Sequence, residues 1–579
     1  MEQTQWYKDG VFYQIWPRSF KDGNGDGMGD LYGVIEKLDY IKSLHMDGIW
    51  FSPLYPSPGA DCGYDISDYF DIAPEFGGME AFKTLLSEAH KRDLRVIMDL
   101  VVNHTSDEHE WFQKSRQRID PYTDYYIWRQ KKPNGKLPNN WASMFEGGTA
   151  WQWDEVRQEY YMHLFAIKQP DLNMDNPAVR EEVKKILKFW LDLGVDGFRE
   201  DVITFISKEE GLPNDIPVPG AAGILKYNHG PHIHEYLQEF RRDVLSHYDC
   251  MTLAEAPLVS PRRALQYISD KNPAKHDIDM MIQFQVMCAN CLFTDYVPLK
   301  FSLRRYKRAL RRWQLKLYGK GWNMLYLENH DHPRIISRYG SEKYRTESGK
   351  SLAVSYLFQQ GTPFVYQGQE IGMTNWYPES TSMYEDVQTI NNHKNSSEKK
   401  RLKLYHRASR DSARTPVQWT AGAHAGFSDH EPWFYVNENY PEINVEKEER
   451  DPESLLNFYR RAIALRKSLT VVRFGKYREY EKRSKKVYVY ERYMDKKAVR
   501  LMKKSPAAGK YDASGVSGRL LVICSFSDQP FTLQLPKGFD LNRAELLLAS
   551  HPLSALAPGA SDGTISLKPY ESLVLYFRD

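Results

Sequence analysis

What most constrains this chain is an alternation through its first 470 or so residues, in which short apolar runs are separated by amphipathic stretches of helical period. The runs are Val11–Trp16, Gly48–Pro53, Arg95–Val102, Val195–Val202, Met251–Ala256, Met280–Phe284, Met324–Glu328 and Phe364–Gln367. Between them, Phe82, Leu85, Leu86 and Ala89 recur at i, i+3, i+4 and i+7, the single stripe of a helix packed on a sheet. A second helix has Asn176 as its N-cap, Pro177 at its first position, Val179, Val183, Ile186, Leu187 and Trp190 as its stripe, and Gly194 as its stop. Strands alternating with helices build a parallel sheet. Eight such units in one large domain predict an α/β fold, a (β/α)8 TIM barrel with its chemistry at the C-terminal strand ends.

Two stretches break the alternation. Residues 104–172, rich in Trp, Tyr, Asn and Gly, fall between the third and fourth strands and are expected to form a small inserted domain over the barrel mouth. Residues 373–450 follow the eighth strand, are polar with little periodicity, and suggest a second excursion. After a last helix near Glu453–Lys467, short β-rich runs (Val487–Tyr493, Leu520–Phe526, Ser572–Phe577) predict a C-terminal antiparallel β domain. The expected division is 1–103 and 173–478 for the barrel, 104–172 for the insertion and 479–579 for a C-terminal β-sandwich.

Lys+Arg 78 against Asp+Glu 76 leaves no strong charge, which argues against nucleic acid and anionic membranes and for a neutral small molecule. No run reaches the roughly 18 apolar residues of a membrane span, and Met1–Gly10 carries no secretory pattern. Five cysteines in 579 residues do not make a disulfide framework, so a reducing, cytoplasmic location is expected, with a monomer or weak oligomer. Cys288 and Cys291 form a lone C-x-x-C without a second pair nearby, which does not read as a redox or metal site by itself.

Four of the strand ends carry carboxylates. Asp99-Leu-Val-Val-Asn103-His104 ends the third strand and Gly197-Phe198-Arg199-Glu200-Asp201-Val202 the fourth. Ala254-Glu255-Ala256-Pro257 ends the fifth and Glu328-Asn329-His330-Asp331 the seventh. Cleaving a glycosidic bond needs an acid to protonate the leaving oxygen and a carboxylate on the opposite face of the sugar, with stabilisation of an oxocarbenium-like transition state. Arg199 lies two residues before Asp201, on the same face of a strand, where its guanidinium can keep that carboxylate ionised. Glu255 sits in an apolar strand end, where desolvation raises a carboxyl's pKa toward that of a useful acid.

In this order and spacing the four segments resemble the signature regions of glycoside hydrolase family 13, the α-amylase superfamily. Gln169-Pro-Asp-Leu-Asn173 resembles a fifth, shared by its oligo-1,6-glucosidase and α-glucosidase branch. The resemblance implies a retaining, exo-acting α-glucosidase acting on short, α-1,6-linked oligosaccharides. It makes Asp201 the nucleophile, Glu255 the acid/base and Asp331 the third carboxylate. It places Asp61, Tyr64, His104, Gln169, Arg199 and His330 around the terminal glucose, and pairs Arg414 with Asp61 at the closed end of the pocket. Phe145 and Phe165 correspond to aromatic walls, a hydrophobic-core role being the other reading. Val202, directly after the nucleophile, accompanies α-1,6 cleavage in similar chains, where Thr accompanies α-1,4 cleavage.

Asp22, Asn24, Asp26, Met28 (through its carbonyl) and Asp30 space oxygen ligands as a calcium loop does, although the EF-hand's twelfth-position Glu is Gly33 here. By resemblance one structural Ca²⁺ or Mg²⁺ is expected; a solvated Asx-rich turn is the alternative, and no organic cofactor is expected. Glu200, Ala254, Cys62 and Gln369 depart from the family pattern, and Cys62 is expected to be open to thiol reagents that block the sugar site. Trehalose-6-phosphate hydrolases and sucrose or trehalose isomerases share the motifs. A non-catalytic transporter-associated relative would need a membrane segment and a broken carboxylate set.

Overall fold

The computed structural model describes residues 4–145, 148–217, 221–272, 275–510, 518–551 and 563–578. Eight parallel strands form its centre: β1 (Phe12–Ile15), β2 (Gly48–Phe51), β3 (Arg95–Leu100), β4 (Gly197–Glu200), β5 (Met251–Glu255), β6 (Met280–Ile282), β7 (Met324–Leu325) and β8 (Thr362–Tyr366). Sequential neighbours pair from β1 through β6, β7 pairs with β8, and β8 returns to β1. A parallel bridge from Met281 to Asn323 joins β6 to the start of β7 and closes the barrel. All eight strands expected from the sequence are present, shortened by one to three residues at most ends.

The helix signals act as their chemistry dictates. Asn176 accepts from the Ala178 N–H at the start of Pro177–Leu193, and Gly194, at φ 112°, supplies the left-handed residue that ends it. The stripe of Phe82, Leu85, Leu86 and Ala89 is buried on the helix Gly78–Lys91. Between β3 and β4 lies a three-stranded antiparallel sheet, with Glu159–Met162 between Trp128–Arg129 and Trp151–Asp154. Beyond β8 the chain does contain a regular helix, Glu398–Ala408, that periodicity missed. Tyr405 and Ala408 are its buried residues, Leu402 and Leu404 are half-buried beside them, and the rest is basic and polar, so its apolar stripe is short.

The C-terminal part is an antiparallel five-stranded sheet of Lys476–Tyr480, Val487–Tyr493, Gly518–Ser525, Ser572–Arg578 and Ala544–Ala549, in that order. Among the described residues, no helix is long and apolar enough to cross a membrane.

Candidate active site

The strand ends surround a cavity of about 510 Å³ lined in part by Asp61, Tyr64, His104, Phe145, Phe165, Asp201, Val202, Glu255 and Asp331. Because side chains alternate along a strand, Arg199 and Asp201 share one face of β4 while Glu200 takes the other. Arg199 is the hub. Its Nη1 donates to Asp99 Oδ1 and Oδ2 at 2.8 and 3.0 Å and to Asp201 Oδ1 at 2.6 Å. Its Nη2 meets Glu255 Oε2 at 2.8 Å. One fully buried guanidinium thus holds three carboxylates from three adjacent strands, and its own pKa rises well above the ordinary arginine value as those charges outweigh its burial.

The carboxylates separate by environment. Burial pushes Glu255 up to about 8 against the pull of Arg199. Burial likewise raises Asp201, to about 7, with Arg199 opposing. Asp331 is also buried, but His330, Arg410, Arg414 and Arg199 outweigh that and hold it well below the usual carboxylate range. A proton shared among the three therefore resides first on Glu255.

Four of the expected residues lie behind the lining. Gln169 donates through Nε2 to Asp61 Oδ2 at 3.2 Å and contacts His104 Nε2 at 3.1 Å, fixing both. His330 Nε2 lies 2.6 Å from the Tyr64 hydroxyl and 3.2 Å from Asp331 Oδ2, and Nδ1 meets Gln14 Nε2 at 2.8 Å. Burial lowers His330 to about 3 and His104 to about 4, so both rings are neutral hydrogen-bonding groups. Phe145 and Phe165 pack at 5.2 Å between ring centroids in a buried cluster that also borders the cavity, so the wall and core readings both hold for them.

The pairing expected for Arg414 is corrected. The arginine beside Asp61 is Arg410, whose Nη2 lies 3.4 Å from Asp61 Oδ1, whose Nη1 is 3.2 Å from Asp331 Oδ1 and which also holds Asp386 at 2.5 Å. Its guanidinium stacks over Phe145 at 5.0 Å. Arg414, four residues on and at the end of a short helix, donates through Nε to the His330 carbonyl and reaches Asp331 at 3.5 Å and Asp386 at 3.6 Å. It stands behind Asp331 instead of at the pocket end. Arg410 and Asp386 were missed because neither lies in a recognisable string, whereas Arg414, four residues on, does. Cys62 is half-buried and is not among the lining residues, and burial pushes its thiol up to about 11.

The Asp22–Asp30 loop is wrapped around its own carboxylates. Asp22 accepts from the N–H groups of Gly25 and Gly27 and from the Ser428 hydroxyl. Asp30 accepts from Gly23 and Asn24 and caps the helix Leu31–Glu36 through the Gly33 N–H. No group of three His, Cys, Asp or Glu side chains converges as a metal cage among the described residues. The donors do fit a hard cation in kind, all being oxygen, and Asp22 Oδ1 and both Asp26 oxygens each accept a single hydrogen bond.

A closed parallel barrel with carboxylates at three strand ends clamped by one arginine is the framework of a glycoside hydrolase. Residues 14–475 match the family described as alpha amylase, catalytic domain, and the chain belongs to that family. It is 45% identical to the oligo-1,6-glucosidase of Parageobacillus thermoglucosidasius, with 99% of each chain covered. Among solved structures it is similar to the trehalose-6-phosphate hydrolase of Bacillus licheniformis, at TM-score 0.89 and 40% identity over 99% of this chain and 100% of that one. The trehalulose synthase MutB of Pseudomonas mesoacidophila MX-45 also has TM-score 0.89, at 37% identity over 99% of each.

Proposed function

We propose that the chain is an exo-acting, retaining α-glucosidase that releases terminal glucose from short α-1,6-linked glucosides. The observation that carries this reading is the pair Asp201 and Glu255, on adjacent strand ends at the cavity wall and both held by Arg199, with burial favouring the proton on Glu255. Glu255 Oε2 already meets Arg199 and the Val202 N–H, so Oε1 bears the proton for the glycosidic oxygen. Asp201 Oδ1 is held by Arg199, which leaves Oδ2 to attack the anomeric carbon. Asp331, ionised, holds hydroxyls of the distorted sugar. Glu255 then acts as base toward the water that hydrolyses the glucosyl-enzyme, and the product keeps the α configuration. Asp61 and Arg410 form the end that stops the chain at one sugar, and Val202 gives the leaving-group side the apolar wall that suits a 1,6 link.

A phosphorylated disaccharide is the second reading. The cations lining the cavity are Arg305 and Arg410, with His332 beside them, and Arg410 is already engaged by three carboxylates. That favours a neutral substrate. A panel of isomaltose, panose, maltose, sucrose, trehalose and trehalose 6-phosphate, with the first product followed by NMR, tests the assignment. Fastest release of α-glucose from isomaltose is expected; release of β-glucose, or hydrolysis of trehalose 6-phosphate alone, overturns it.

The Asp22–Asp30 loop we assign to a structural Ca²⁺ or Mg²⁺ held by Asp22, Asn24, Asp26, the Met28 carbonyl and Asp30. Five free cysteines support a reducing, cytoplasmic location.

A further inference from the structure

Cys288 and Cys291 take no part in that reaction, yet both stand in the wall of the same cavity. Cys288 lies in the 3₁₀ turn Met287–Asn290 after β6, and Cys291 opens a two-stranded hairpin, Cys291–Leu292 against Thr294–Pro298. The two cysteines are three residues apart, one in the turn and one directly after it, and Cys291 Sγ lies 3.9 Å from the Met287 carbonyl oxygen on the same wall. Cys291 is buried and Cys288 half-buried, so Cys288 is the sulfur a solute can reach.

Their surroundings make the pair asymmetric. The neighbouring Cys291 thiol lowers the Cys288 thiol pKa, with burial and Asp295 opposing and Arg338 and Arg305 assisting. Cys288, then burial, raises Cys291. Arg338 is 7% exposed, with Nη2 engaged by Met287 O, Asn290 Oδ1 and Asp295 Oδ1, while Nε and Nη1 have no hydrogen-bond partner. A buried cation with donors to spare therefore stands near the dithiol.

We propose that Cys288 and Cys291 form a reversible dithiol–disulfide site, oxidised by small-molecule disulfides, in the wall of the glucoside pocket. The Cys288 thiolate attacks one sulfur of the incoming disulfide, whose S–S bond breaks and expels one thiolate. Cys291 then loses its proton and attacks Cys288 Sγ, expelling the second. Two cysteine thiols are oxidised by two electrons, and one disulfide is reduced to two thiols. Since an S–S bond is about 2 Å long, Cys291 must close on Cys288 to form it. It draws with it the hairpin that brings Leu292, Phe293, Thr294 and Tyr296 to the cavity. Phe293, at the hairpin tip, is 78% exposed, which puts the tip at the mouth, where a leaving group would lie, while Tyr296 on the returning strand meets Asp386, the partner of Arg410. This kinetic consequence rests on the α-glucosidase reading; formation of the bond does not.

The full-length protein, equilibrated in glutathione–glutathione disulfide mixtures and mapped by mass spectrometry, provides the test. Oxidation should remove two of the five thiols as a Cys288–Cys291 link. It should lower kcat/KM for isomaltose about tenfold or more, since an ångström of misplacement suffices for that. Reductant should restore activity. C288S should stop responding to the mixture, and C291S should stop at the Cys288–glutathione mixed disulfide that Cys291 otherwise resolves. A persistent glutathione adduct on Cys288 of the unsubstituted protein, oxidation confined to other cysteines, or an internal bond that leaves kcat/KM unaltered would each overturn the proposal. Absence of glucosidase activity with the bond formed would instead count against the α-glucosidase reading.

Discussion

The backbone N–H of Val202 donates to Oε2 of Glu255 at 3.0 Å, tying the residue after Asp201 to the end of the neighbouring strand. It does so from φ 33°, ψ 36°, a left-handed conformation that a β-branched residue adopts at a cost of order 1–3 kcal/mol. The local strain turns the amide toward Glu255. That contact, with Arg199 on the same oxygen, fixes which oxygen of Glu255 is free to carry a proton.

A bell-shaped kcat/KM profile should follow, with its limbs belonging to the Asp201–Glu255 pair. Its alkaline limb should fall near pH 8, because Glu255, pushed up to about 8 by burial, then loses the proton it must donate. Glu255→Gln should lower kcat by about 10²–10⁴-fold and abolish that limb. Asp201→Ala should abolish turnover with an unchanged circular dichroism spectrum. An alkaline limb that survives in Glu255→Gln would assign it to another group.

Arg410, not Arg414, should dominate terminal-glucose recognition. Arg410→Ala leaves Asp61, Asp331 and Asp386 facing one another without their shared cation, and should cost about 3–5 kcal/mol of stability. Its kcat/KM should fall about 10²-fold or more, as when a preorganised donor is lost. Arg410→Lys keeps the charge without the planar fork and should recover only part of it. Purified Arg414→Ala showing the larger KM increase would reverse the order.

How far the sequence carries depends on whether a feature is local. Strands, the Asn176 and Gly194 helix ends and the strand-end carboxylates are written in short segments, so they were legible. The Arg410–Asp61 contact joins residues 349 positions apart and depends on how the segment after β8 folds back over the barrel. Ala413-Arg414-Thr415-Pro416 was the more recognisable string, and it led to the wrong arginine. The hairpin at 291–298 was missed because its two strands are short and lack alternating polarity; its five-residue strand has the burial order exposed, half-buried, buried, exposed, half-buried. Phe293 at its tip was missed with it.

Removing a metal from the Asp22–Asp30 loop should lower the melting temperature, because an ion that binds only the folded loop stabilises by mass action, about 2.7 kcal/mol at a hundredfold excess over Kd. Activity at low temperature should be nearly unchanged. Differential scanning calorimetry before and after EDTA, with elemental analysis, reads both. An unchanged melting curve with no metal found would leave the loop's internal hydrogen bonds as its whole function.

Val202 borders the cavity beside Glu255, so its side chain can bear on the leaving group. Val202→Thr keeps the β-branched shape and hence the backbone strain, while adding a hydroxyl. One such contact shifts discrimination by about 1–3 kcal/mol, so the isomaltose-to-maltose ratio of kcat/KM should fall by roughly 10- to 200-fold. A ratio unchanged within error would place linkage choice elsewhere.

Glu200 tests whether the position beside the nucleophile costs stability. Its side chain leaves the barrel interior, Oε2 has no hydrogen-bond partner, and burial, with Asp279 next and Arg241 opposing, pushes it up to about 8 from an ordinary 4.5. A carboxyl raised in this way is neutral in the fold. Its contribution is therefore fully present below about pH 4.5, where the unfolded chain is also protonated, and is lost progressively as pH rises to about 8. Across that window the unfolded state gives up a proton that the folded state keeps, which favours unfolding. Glu200→Gln, neutral at every pH, should therefore match the wild type near pH 5 and exceed it at pH 8 by on the order of 3 kcal/mol. Urea unfolding of both proteins at the two pH values measures the difference. A stability difference independent of pH would show that Glu200 is ionised in the fold, held by a partner whose charge outweighs its burial.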